Sequence, residues 1–140
     1  MKCFIILMII LLPITTFADE LKTKDDIRAL SKNIMERVAI GETVEAMKLL
    51  KPHFVIPPSE FEVMIEQYKL QAPAIKQRYG ETVGIELISE KEAGESLMMI
   101  HYIQKFEKTV MSWKFYFYKP KNIWVVSAFF TEDKLQDIIY

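Results

Sequence analysis

Residues 111–130, MSWKFYFYKPKNIWVVSAFF, predict a β-hairpin and, through it, the fold. Apolar and polar residues alternate on both sides of Lys119-Pro120-Lys121-Asn122, which predicts two strands joined by a four-residue loop. Pairing Tyr118 with Ile123 then gives one wholly apolar face, with the pairs Phe117–Trp124, Phe115–Val126, Trp113–Ala128 and Met111–Phe130. The opposite face carries Ser112, Lys114, Tyr116, Tyr118 and Ser127. Because a slip of one residue would mix the two sets, we expect this register, with the Trp113 face beneath helices.

The rest of the chain changes its hydrophobic period once, near Gly80. Before it, apolar residues at helical spacing predict helices over 25–40 and 43–50. Pro57-Pro58-Ser59 predicts the start of a third helix, with Ser59 and Glu62 at capping-box spacing and an interruption or kink at Pro73. After Gly80, alternation predicts strands over 83–90, 97–106, 110–118 and 123–130. Residues 131–139 are polar enough for a short helix or a fraying tail.

This order of elements predicts an α+β fold, with the N-terminal helices packed on one face of a curved four-stranded antiparallel sheet. No internal repeat, low-complexity tract or Gly/Ser-rich linker divides the chain. The sequence therefore predicts a single domain over residues 19–140.

The first 18 residues have the three zones of a secretory signal peptide. Lys2 is followed by an apolar run over 3–12, Pro13 ends that run, and Thr16 and Ala18 occupy the positions that a signal peptidase accepts. The alternative is an uncleaved anchor, but a spanning helix needs ~20 apolar residues and this run is shorter. We expect cleavage after Ala18, no stable membrane span afterwards, and export to the periplasm or the medium.

Charge and cysteine content exclude several classes of site from the mature chain. One of the 18 basic residues is Lys2, so residues 19–140 have a net charge of −2 against 19 acidic residues. A balance of this sign disfavours nucleic acid and anionic lipid as partners. Cys3 lies in the leader, which leaves no thiolate and no disulfide. His53 and His101 have no carboxylate at ligand spacing, so we expect neither a metal nor a cofactor.

The chain resembles the NTF2-like superfamily over most of the mature domain. The resemblance is carried by the first helix ending at Gly41, by Glu45-Ala46-Met47-Lys48-Leu49-Leu50, and by the aromatic strand Trp113–Tyr118 joined to the strand led by Trp124. It implies a cone, a curved sheet around helices, often with an apolar pocket between them. The superfamily contains enzymes and non-enzymatic domains alike, so the fold does not fix the function. The chain lacks the buried Asp/His acid–base set of the enzyme members.

Two groups of residues are candidate sites. A buried tyrosine needs a partner for its hydroxyl, and a ligand in the implied cone could supply one to Tyr68, Tyr79 and Tyr102, with Trp113 beside them. An exposed aromatic stripe more often marks a protein contact than a catalytic site, and it would comprise Lys114, Tyr116 and Tyr118. For each group the simpler alternative is ordinary core or solvated surface.

The function expected from these features is binding. We expect an exported, non-enzymatic domain that takes a small apolar ligand in the cone or a protein on the outer sheet face, where a homodimer is one option. The alternative is a small isomerase or hydrolase that uses the cone pocket, with Tyr102 and His101 near it. An accommodated strand histidine is the more common reading of His101, because acid–base work needs a positioned partner.

Overall fold

A computed structural model describes residues 19–139 and confirms the α+β class, with helices preceding a four-stranded antiparallel sheet. The helices are α1 (Lys24–Ala39), α2 (Thr43–Lys48), a 3-10 turn (Lys51–His53), α3 (Pro58–Tyr79) and α4 (Gln136–Ile139). The strands are β1 (Thr82–Ala93), β2 (Leu97–Phe106), β3 (Val110–Tyr118) and β4 (Val125–Glu132), which pair in sequence order. The predicted signal peptide lies outside the described residues. No helix within 19–139 is long and apolar enough to cross a membrane.

Helix α1 begins at a capping box that the sequence reading did not include. Thr23 Oγ1 accepts the backbone N–H of Asp26 at 3.1 Å, and the Asp26 carboxylate accepts the backbone N–H of Thr23 at 2.8 Å. These two bonds satisfy donors that a helix start leaves free. The helix then buries Ile27, Ile34 and Val38 against the sheet, as the spacing predicted.

One prediction about α3, its cap, was wrong. Ser59 does not cap the helix: Pro57 is the N-cap residue and Pro58 occupies the first turn, where its fixed φ and missing N–H cost nothing. Pro73 does not interrupt the helix, which continues to Tyr79. Pro73 and Lys69 are both exposed, so the Lys69 carbonyl that loses its helical partner can hydrogen-bond to water. Gly80, with φ of 86°, ends the helix as expected.

The predicted register of the last hairpin was also wrong. Tyr118 pairs with Val125 and Phe117 with Val126, so the loop is two residues longer than predicted. The cause is Trp124, whose backbone N–H donates to the Leu21 carbonyl at 2.7 Å and is thereby withdrawn from the hairpin. A shift of two residues keeps Trp124 on the buried side, although it no longer pairs with Phe117.

A β-bulge at Ser127 changes the faces farther along β4. Val126 pairs with Phe117 but Ala128 pairs with Tyr116, which leaves one extra residue in β4. Ala128 and Phe130 therefore lie on the side opposite to the predicted one, while Phe129 joins the core and stacks on Phe115 at 5.6 Å between ring centroids. Further bulges in β1 add to the bending of the sheet.

The two sides of the sheet differ in what covers them. The inner face packs on α1, α2 and α3 and includes Ile100, Tyr102, Trp113, Phe115, Phe117 and Val126. The outer face carries His101, Ser112, Lys114, Tyr116, Ala128 and Phe130, with the C-terminal helix α4 at its edge. The first face forms the core, and the second holds the largest cavity described below.

Candidate functional site

Two of the four predicted pocket residues are neighbours in the core. Tyr102 and Trp113 are paired across β2 and β3, and both are buried on the inner face. The Trp113 indole Nε1–H donates to Gln104 Oε1 at 3.0 Å, and Gln104 Nε2 donates to Thr82 Oγ1 at 2.8 Å. Burial, and to a smaller extent Glu90 and Glu36, raises the pKa of Tyr102. The Trp113 N–H has a protein acceptor and therefore needs no ligand.

The other two pocket candidates, Tyr68 and Tyr79, lie on α3. Tyr68 is half-buried at the edge of the core. Tyr79 packs on Phe106, 5.6 Å between ring centroids, and its hydroxyl donates to the Asp133 carboxylate, which raises the pKa of Tyr79. The Tyr79–Asp133 bond ties the segment after β4 to the end of α3. None of the four candidates lines either cavity described here.

The larger cavity lies on the outer face of the sheet and has a volume of about 790 Å³. Its floor is formed by the central strands, its sides by residues 88–93 of β1 and by β4, and one end by α4. Apolar side chains dominate the walls, among them Ile88, Leu97, Met99, Ala128, Phe130 and Ile139. Polar side chains also belong to the lining: His101 and Lys114 on the floor, with Ser89, Lys91, Glu92, Ser127 and Asp137 around them. A mostly apolar surface with some polar groups is the usual make-up of a small-molecule site.

His101 is buried and forms a short polar pair with Ser112. His101 Nε2 and Ser112 Oγ are 2.6 Å apart, and within residues 19–139 this is the hydrogen bond that the imidazole makes. Burial lowers the pKa of His101, and the positive charges of Lys114 and Lys91 lower it further. A lowered pKa favours the neutral imidazole at pH 7, and His101 lines the cavity.

Lys114 lies opposite His101 and is only partly neutralised. Its side chain is 20% exposed, and the nearest carboxylate in the described part of the chain is Glu132, 4.0 Å from Nζ. Of the two acidic residues in the lining, Glu92 is engaged by Lys24 at 3.0 Å, and Asp137 lies on α4. Lys91 also lines the cavity and has no ion pair among the residues described. The floor thus presents positive charge and an unused imidazole nitrogen.

The predicted protein-contact residues divide between this cavity and the surface outside it. Lys114 and Tyr116 line the cavity, and the Tyr116 ring packs edge-to-face on Phe130 at 5.8 Å. Tyr118 is exposed and lies outside the lining. The structure therefore brings Lys114 and Tyr116 together with His101, which the sequence reading placed near the inner pocket.

Leu97, Met99 and Phe130 were missed as site residues. The signal available for Leu97 and Met99 was the unbroken apolar run over 97–100. A strand that alternates apolar with polar residues has one covered face, whereas a continuous apolar run indicates that both faces are covered. Phe130 had no such signal, since its face depends on the Ser127 bulge.

A second cavity, of about 320 Å³, lies beside the 3-10 turn and is lined by His53, Phe54 and Trp124 among others. Burial lowers the pKa of His53.

The described residues contain no group of His, Cys, Asp and Glu side chains that could hold a metal ion. Comparison of the chain with protein-family models, with curated proteins and with solved structures finds no match. The chemistry of the site is therefore argued from its own geometry.

Proposed function

We propose that this chain is an exported, non-enzymatic domain of NTF2-like type that binds a small ligand in the cavity on the outer face of its sheet. The observation that carries the proposal is the combination of about 790 Å³ of space, apolar walls and a polar floor in one place. Ligand pockets of drug-sized molecules occupy ~300–1,000 Å³ and have this composition.

The apolar walls support a ligand in preference to a fortuitous surface depression. Leu97, Phe130 and Ile139 all have about half or more of their surface exposed, and all three line the cavity. Exposed apolar side chains that are scattered singly need no explanation, whereas a contiguous group indicates an interaction site. A protein contact through Tyr116 and Tyr118, including a homodimer, remains a prediction for the adjoining surface.

The second candidate function is hydrolysis, and the Ser112–His101 pair favours it. A hydroxyl within hydrogen-bond reach of an imidazole is the core of a nucleophile–base arrangement. Two observations weigh against it: Ser112 is wholly buried and absent from the cavity lining, and within residues 19–139 no third group orients the imidazole through Nδ1. A molecule in the cavity would meet His101 and Lys114 before the serine hydroxyl.

Binding of a neutral apolar dye tests the proposed function. Nile red should gain fluorescence with the protein spanning residues 19–140. Ala128→Phe, which places a ring in the cavity, should weaken dye binding by roughly tenfold or more, since each tenfold is ~1.4 kcal/mol. Ala74→Phe makes the same change on the exposed side of α3 and is the matched control. Equal dye binding by the wild type and both variants would exclude the cavity as the site.

A further inference from the structure

On the floor of the outer-face cavity, the positive charge of Lys114 is incompletely paired by neighbouring side chains. The Lys114 ammonium has three N–H donors, and its nearest carboxylate, on Glu132, lies 4.0 Å away, beyond hydrogen-bond distance. A charged group that is mostly buried is costly unless it is paired and hydrogen-bonded. An acceptor placed in the cavity would complete the pairing of Lys114.

His101, on the neighbouring strand, can donate a second hydrogen bond to the acceptor that pairs with Lys114. Its Cα is paired with that of Lys114 across β2 and β3, so both side chains rise from the same patch of floor. The Ser112 hydroxyl can either donate to or accept from Nε2, because a hydroxyl does both. The Nδ1 atom is thereby free to carry a proton and to donate it in a hydrogen bond toward the cavity.

The charged residues of the cavity lining are equal in number, with Lys91 and Lys114 against Glu92 and Asp137. Glu92 is paired with Lys24 across the α1–β1 contact, while Lys91 adds a second positive charge that acts on His101. The charged and titratable groups that surround the imidazole are Lys91 and Glu92 on β1, Lys114 and Tyr116 on β3, Glu132 on β4 and Asp137 on α4. Within residues 19–139 Asp137 has no ion pair, and it belongs to α4 and not to the strands that carry Lys114 and His101.

The walls determine the rest of the ligand. Leu97, Met99, Phe130 and Ile139 offer no hydrogen-bonding group, so the part of the ligand that contacts them is hydrocarbon. We propose that the cavity binds a soluble amphipathic anion, a single carboxylate seated on Lys114 and His101 with its aliphatic chain along these walls. This inference deepens the proposed function and rests on it.

Calorimetric titration with three amphiphiles of equal chain length tests the inference: decanoate, decanol and decyltrimethylammonium, each below its aggregation concentration. We expect decanoate to bind roughly tenfold tighter than decanol, because a charge-assisted hydrogen bond is about twice as strong as a neutral one. Decyltrimethylammonium should bind weakest. Lys114→Met should reduce decanoate to the affinity of decanol while decanol binding is kept. Lys121→Met, in the exposed loop of the same hairpin, should change neither.

Titration of His101 by NMR provides a readout that a purely structural role for Lys114 would not move. Bound decanoate should raise the pKa of His101, because a nearby anion favours the imidazolium, whereas bound decanol should not.

Equal affinities for decanoate and decanol would overturn the amphipathic-anion inference and leave the proposed function standing. Failure of all three amphiphiles and of Nile red would remove both. Binding to phosphatidylglycerol vesicles without binding of decanoate would point to a membrane surface and also overturn the inference.

Discussion

His101 shows how a side chain that looks ordinary in sequence acquires a role from its surroundings. In the sequence it is one histidine in a strand with no partner at a recognised spacing. In the structure it pairs with Ser112, faces Lys114 and lines the cavity. Both partners come from another strand, so only the strand register brings them together. No local motif could have indicated this group.

The buried imidazole makes stability depend on pH in a defined direction. The pKa of His101 is lowered in the folded chain, while the unfolded chain titrates near the usual value of about 6.5. As the pH falls below ~6.5, the unfolded state takes up a proton before the folded state does, so the free energy of unfolding decreases toward the lower folded pKa. Above ~6.5 both states are neutral and this loss is absent.

Urea midpoints at pH ~7.5 and ~5.5 measure the effect, since histidine is the side chain that normally changes charge in this window. His101→Gln should show a smaller drop between the two pH values than the wild type. His53, whose pKa burial also lowers, should contribute separately, so His53→Gln should remove a different part of the drop. An undiminished drop in the His101 variant would mean that its protonation is not coupled to folding.

Among the elements, α3 carries the clearest conflict between local preference and fold. Pro73 lies within a helix of 22 residues and provides no N–H for the carbonyl of Lys69. A proline in a helix interior costs roughly 3 kcal/mol relative to alanine, and tertiary packing at Phe61 and Ile65 evidently outweighs that cost. Of the two outcomes predicted at Pro73, a kink or an interruption, the structure excludes the interruption.

Pro73→Ala should stabilise the protein, by at most ~3 kcal/mol, because it restores the missing hydrogen bond on an exposed face. The urea midpoint should rise. Pro58→Ala is the control: the same substitution in the first turn affects an N–H that has no helical partner, so the midpoint should change little. If Pro73→Ala were no more stable than the wild type, the helix would already have relaxed around the proline.

The strands were easier to predict in type than in pairing. β2 and β3 have the predicted bounds, because their alternation and turn residues are local signals. β4 begins two residues later than predicted, because the Trp124 N–H bonds to Leu21, a residue distant in sequence. The error then grew at Ser127, and with it Phe130 was placed on the wrong face. A pattern of residue types is informative within a strand, whereas register also depends on partners from elsewhere in the chain.

At the scale of the whole molecule, the fold class followed from the sequence and the location of the site did not. Helices before Gly80 and strands after it were enough for an α+β architecture. The resemblance directed attention to the space between helices and sheet, where Trp113 and Phe115 are buried. The described cavity instead depends on α4 and on the bulged β4, two features with weak sequence signals.

The predicted cleavage after Ala18 defines the molecule to be used in the experiments above, residues 19–140. The apolar run over 3–12 ends at Pro13, and small residues precede Asp19. The intact mass of the protein recovered from the periplasm or the medium should therefore correspond to residues 19–140. Recovery of the full 140-residue mass in the membrane fraction would contradict cleavage and favour an anchor.

In genetic terms, the bulge means that β4 can lose the codon of Ser127 without a change of face in the rest of the strand. An in-frame deletion inside an ordinary strand turns every following side chain to the other face. At Ser127 the chain already has two residues opposite Tyr116, so loss of that codon leaves Ala128 opposite Tyr116 and Phe129 opposite Phe115. A change in length by one residue at this point of β4 is therefore compatible with both the core and the cavity. A one-residue deletion within β3, which has no bulge, would instead move the core side chains that follow it to the cavity face and the cavity side chains to the core face.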